Sequence, residues 1–134
     1  MRWSLLTLIA ILSTGWACDS GVGPSRTLTG TWGGDHVAMT VADSTHFEFD
    51  CAHGDVPSLL VLDESNEFTA RGTYVREHGG PILIDAPPDS HPATYAGSVR
   101  DDRMTLTVRL TDSSEVIGTF ALSRDTHGRV VKCL

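Results

Sequence analysis

The chain has 134 residues, which predicts a single domain. Its 17 acidic and 10 basic side chains leave a net charge of −7, which speaks against nucleic acid or an anionic bilayer face as a partner and suits a basic one. Three cysteines cannot all pair within one molecule. At the start, Met1-Arg2 is a short positive segment, Leu5 to Leu12 is apolar, and Gly15-Trp16-Ala17 places small residues around a processing point. This layout predicts a secretory signal over 1–17. A membrane-spanning helix needs about 20 apolar residues, and Ser13-Thr14-Gly15 stop this run first.

Cys18 follows directly, and then Asp19-Ser20-Gly21-Val22-Gly23-Pro24-Ser25-Arg26-Thr27, a polar Gly/Ser/Pro run. The succession resembles the lipobox of bacterial lipoproteins, in which the cysteine becomes the N-terminus and carries lipid such as palmitate. Gly15 departs from that pattern, which usually has a branched apolar residue three positions before the cysteine. The resemblance implies a lipid-anchored protein of the bacterial cell envelope, facing periplasm or exterior. Residues 18–27 would then tether a domain spanning 28–134, at a root-mean-square reach of roughly 15–18 Å.

From Leu28 onward the dominant hydrophobic period is two, which predicts half-buried antiparallel strands. Segments 28–33, 36–42, 46–52, 58–62, 67–77, 93–100, 103–111, 115–123 and 129–133 are the expected strands. Met104, Leu106, Val108 and Leu110 alternate with Arg103, Thr105, Thr107, Arg109 and Thr111. Directly paired residues of a hairpin share a face, so trial pairings can be checked. Val99 with Met104 leaves a two-residue Asp101-Asp102 turn, Val41 with Phe47 leaves an odd-length loop, and Leu110 with Val116 sets Leu106 beside Phe120. All three put one apolar face inward. A succession of hairpins predicts an all-β, antiparallel up-and-down barrel of about 8–9 strands, whose closure removes exposed edges. Alternation also sets Cys51 inward beside Phe49, and Val131 and Cys133 on one face of the last strand. Cys51–Cys133 is therefore the expected disulfide.

Gly30-Thr31-Trp32 resembles the Gly-x-Trp signature of the calycins, the lipocalin-like barrels. There the tryptophan plugs one barrel end under a basic side chain from a late strand, which makes Trp32 structural and nominates Arg124, Arg129 or Lys132 as the cover. Asp50-Cys51-Ala52-His53-Gly54, Gly79-Gly80-Pro81 and Lys132-Cys133-Leu134 resemble a group of bacterial lipoproteins without an assigned role.

Chemistry is sparse. There is no Gly-x-Ser-x-Gly elbow, phosphate-cradling glycine loop or His-Glu-x-x-His helix, so no enzyme and no cofactor is expected. The six histidines adjoin turns or outward positions and read mainly as solvated surface. The alternative is a metal site drawing on His36, His53, His78 and His91 with Asp35 or Asp85, since zinc accepts such nitrogen and carboxylate sets. The segment 79–92 holds four of the six prolines and the apolar Ile82-Leu83-Ile84. A loop of this length is often functional. With His78 and His91 flanking it, this loop is the expected binding site. It would act as a lid for a small apolar ligand at the barrel mouth, or as a contact for a protein partner in an interaction or inhibitor module. The alternative is a flap packed on the core.

Overall fold

The computed structural model describes residues 25–134, whose regular elements are all β. The leader, Cys18 and most of the tether lie outside the described residues. Eight strands close a barrel: β2 (Gly30–Gly34), β3 (Val37–Val41), β4 (Thr45–Phe49), β5 (Ala52–Val56), β7 (Glu67–Arg76), β8 (Asp89–Arg100), β9 (Arg103–Leu110) and β10 (Val116–Arg124). Two short strands, β1 (Arg26–Thr27) and β6 (Val61–Leu62), pair beside it. All neighbouring strands are antiparallel, and β10 closes onto β2, so the expected up-and-down barrel holds. The architecture is consistent with a lipocalin-like fold.

Up-and-down topology gives the barrel two mouths with different loops. The near mouth, where the chain enters, carries residues 28–29, 42–44, 57–66, 101–102 and 125. The far mouth carries 35–36, 50–51, 77–88 and 111–115.

The period-two pattern places Val37, Met39, Val41, Phe47 and Phe49 inside, with Met104, Leu106, Val108 and Leu110 opposite. Phe47 and Tyr95 stack with ring centroids 4.3 Å apart, and Phe49 meets Tyr74 at 5.5 Å and Phe120 at 5.2 Å. Those that are fully buried contribute about 1.5–3 kcal/mol each, while Phe120 is partly buried against them. The Tyr95 hydroxyl donates to the Thr73 carbonyl at 2.6 Å, and burial pushes its pKa up. Room for it comes from Gly54, where a Cβ would lie 1.9 Å from that hydroxyl oxygen. These rings occupy the barrel centre.

Trp32 is 1% exposed, and the Arg124 guanidinium lies 4.4 Å from its ring centroid. Arg124 is thus the cover among the three basic candidates. Arg129 instead pairs with Asp35, and Lys132 with Glu48 and Glu77.

Several expected details differ. The β8–β9 register is as predicted, with Val99 opposite Met104 and Tyr95 opposite Val108. In β3–β4, Val41 opposes Thr45 and Met39 opposes Phe47, a shift of two residues that keeps every side chain on its face. The shift places Cys51 in the β4–β5 turn, with φ of 49°, rather than on the inner face. In β9–β10, Val116 opposes Arg109, and an irregularity before Gly118 restores the Leu106–Phe120 pair. Strand β5 was not expected, because its inward residues Ala52, Gly54 and Val56 are small.

The expected last strand, 129–133, is a strap instead. After β10 the chain crosses the outer wall, with Asp125 N–H donating to Thr31 O and Arg129 N–H to Gly34 O. Gly33 permits this, since a Cβ there would meet the Thr126 carbonyl oxygen at 2.3 Å. Residues 129–131 make one bridge to Asp35 and hydrogen bonds to His36, Asp50 and Cys51, not a ladder. The Cys51–Cys133 disulfide, joining residues 82 apart, pins its end at the far mouth.

Chain entropy assigns about 4–5 kcal/mol to a cross-link over that separation. The double variant Cys51→Ala, Cys133→Ala is expected to lose about that much in denaturant unfolding. A loss under 1 kcal/mol would mean that the strap holds without it.

Thr45 is 1% exposed, and its hydroxyl meets no protein hydrogen-bond partner among the described residues. The near-isosteric Thr45→Val change should therefore stabilise the barrel by about 1 kcal/mol. Equilibrium unfolding in urea measures it, and a loss of stability would reveal a partner for that hydroxyl.

Candidate functional site

The loop that joins β7 to β8 stands out at the far mouth. It spans 77–88, because β8 begins at Asp89 rather than at the expected residue 93. Pro92 fits in this strand because β8 runs past β9, which starts pairing only at Ala93. The loop opens with Gly79 and Gly80, the latter at φ of 101°, and is then limited by Pro81, Pro87 and Pro88. One turn is closed by Ala86 N–H donating to Leu83 O.

At its tip, Ile82 is 90% exposed, Leu83 72% and Ile84 97%. The tripeptide neither packs on the core nor covers the mouth, so the flap and the closed lid are both excluded in this conformation. The C-terminal residue Leu134, also fully exposed, lies against Gly79. Glu77, Asp85 and Asp89 flank the tip, with no Lys or Arg between them.

Five of the six histidines, all but His127, are held by carboxylates. His91 Nδ1 is 2.7 Å from Asp112, and its Nε2 is 2.8 Å from Asp89, whose other oxygen is 3.0 Å from His78. His36 lies 2.5 Å from Asp50, and His53 2.9 Å from Glu77. On the outer wall His46 bridges Asp55 and Glu48, both at 2.7 Å. The structure therefore brings His78 and His91 together through Asp89 and leaves His36 and His53 with partners of their own. Asp35 is taken by Arg129. The four-histidine metal set does not assemble, and among the described residues no group of three ligand-type side chains is placed to hold a metal.

These contacts shift titration. The bonds from Asp112 and Asp89 raise His91, and the bond from Asp55 raises His46 against partial burial. Asp89 is lowered by His78 and His91, and Asp112 by His91. The Val131 N–H lowers Asp50, and Lys132 lowers Glu77. For Glu48, burial opposes the change, and the bonds from Lys132 and His46 outweigh it.

No family model, no curated protein and no solved structure matches the chain.

Sequence reasoning missed a second feature, at the near mouth. Arg26, Arg100 and Arg124 converge on one cleft there, from β1 and the ends of β8 and β10. No local spacing could have announced it, because the three lie on segments remote in sequence.

The titration shifts set a pH window. The raised histidines His46 and His91 stabilise the fold below their ordinary value of 6.5, and this is lost as pH rises through their folded values. The lowered carboxylates stabilise it above their ordinary values of 3.8 to 4.5, and this is lost as pH falls through their folded values. Thermal unfolding should therefore show a maximum between about pH 5 and 6.5, flattened by high salt because the pairs are largely exposed. A midpoint rising steadily from pH 6 to 8 would contradict this assignment.

Proposed function

We propose that the chain is a lipid-anchored bacterial envelope protein, of the lipocalin-like kind, that works by binding rather than by catalysis. Its contact is the 77–88 loop, and its partner is a protein. The observation that carries this reading is the exposure of Ile82, Leu83 and Ile84 at the mouth opposite the one where the chain enters. A tether through Cys18 would leave that loop pointing away from the membrane.

The aromatic rings in the barrel centre favour a surface contact over an enclosed apolar ligand. Prolines limit the loop before docking, so less entropy is lost on binding. Each apolar tip residue would contribute about 1.5–3 kcal/mol if a partner buried it. Glu77 and Asp89 are paired within the chain, which leaves Asp85 beside the tip as the acidic group suited to a basic rim on the partner's apolar pocket.

The test is the triple variant Ile82→Ser, Leu83→Ser, Ile84→Ser. Solvent-exposed changes of this kind usually alter stability by under about 0.5 kcal/mol each, so the barrel should unfold near the wild-type midpoint. Cross-linking in intact envelopes, read by mass spectrometry, should then lose the protein adducts formed at the wild-type loop. Retention of every adduct would remove the loop as the contact. Mass measurement of the mature N-terminus checks the anchor separately, since an unmodified Cys18 would exclude it.

A further inference from the structure

We propose that the near-mouth cleft is a binding site for a phosphate group, and that the group comes from a phospholipid headgroup. The cleft has a volume of about 460 Å³ and is lined by Arg26, Arg100 and Arg124, with Asn66 and Asp101 beside them. Two of the guanidiniums are already held. Arg26 donates to the Asn66 side chain, and Arg124 is fixed by the Trp32 face, by the Thr29 carbonyl and by Asp102 at 3.3 Å. Arg100 has no ion-pair partner among the described residues, and neither does Arg26.

This is not for want of carboxylates. The chain has 17 acidic against 10 basic side chains, and at the far mouth Arg76, Arg129 and Lys132 are all ion-paired. At the near mouth the β8–β9 register sets Arg100 directly opposite Arg103 across the Asp101-Asp102 turn. A like-charge pair in that position is destabilising by itself. Asp101 lines the cleft without pairing to any of the three arginines. Such a cluster is relieved by an anion from outside the chain.

Phosphate chemistry fits better than carboxylate. Arginine presents a planar fork of donors suited to phosphate oxygens. Guanidiniums that converge from three separate segments are matched by a tetrahedral anion, which offers oxygens in several directions. The headgroup as source rests on the anchored reading above, because the tether leaves this same mouth through Arg26. The surrounding loops hold Asp43, Asp63, Glu64 and Asp125 besides the acidic turn, so the protein would capture a single headgroup rather than spread on an anionic surface.

The test uses the chain carrying Cys18→Ser, which cannot be lipidated, titrated calorimetrically with inorganic phosphate and with dihexanoyl phosphatidylglycerol below its micelle concentration. Both should bind saturably at one site, the lipid more tightly. Arg26→Ala and Arg100→Ala should each weaken both about tenfold, while Arg71→Ala, on the wall of β7, changes neither. Thermal unfolding checks that each variant is folded. Absence of saturable phosphate binding, or equal weakening by Arg71→Ala, overturns the site. Phosphate binding with weaker or no lipid binding overturns the headgroup as its source. Neither result bears on whether wild-type Cys18 is lipidated, which the N-terminal mass decides.

Discussion

Everything in this barrel depends on a short seam. Strands β10 and β2 meet through only three residue pairs, Leu122 with Gly34, Ser123 with Gly33 and Arg124 with Trp32. The other ladders of the barrel are longer, up to the full length of β7 against β8. Two devices reinforce the seam. The Arg124 guanidinium lies over the buried indole of Trp32, so charge, ring and closing pair coincide at one position. The strap then runs from Asp125 along the outer wall to the disulfide at the far mouth, binding β2, the β2–β3 turn and the β4–β5 turn into one unit. Without this seam, β2 and β10 would each present an unpaired edge.

The fold was largely legible because the alternation is strong where the side chains are large. Residues 103–110 could be read directly, and their pairing with β8 follows from the two-residue turn. The β3–β4 register slipped by two because Phe47 and Phe49 are equivalent to an argument that sees only faces. Strand β5 escaped because Ala52 and Gly54 carry little hydrophobic signal; Gly54 is bare to admit the Tyr95 hydroxyl, a three-dimensional reason. The strap was mistaken for a strand because Val131 and Cys133 mimic alternation, while its actual partners are a bridge at Asp35 and the side chain of Asp50.

The candidate sites divide along the same line. The apolar tripeptide 82–84 could be picked out from composition, but whether it packed or stood free depended on tertiary structure. The histidines were visible as residues; Glu48 and Asp89 lie two residues from His46 and His91 on the same strands, but the partners Asp50, Asp55, Glu77 and Asp112 are brought in across strands or turns and could not be inferred from spacing. The arginine cleft was invisible, since only barrel closure brings β1, β8 and β10 to one mouth.

The seam also constrains how late in synthesis the barrel can close. Trp32 lies on the first barrel strand, and Arg124 near the end of the last, so the chain must be almost complete before the indole can be covered. Hairpins from β3 to β5 and from β7 to β9 pair locally and can form early. Closure between the ends carries the largest loop entropy and must come late. A chain delivered progressively, N-terminus first, would therefore hold β2 as an open edge for most of its emergence. Its glycines at 30, 33 and 34 make that edge short of apolar side chains, a poor template for pairing with another molecule while it waits.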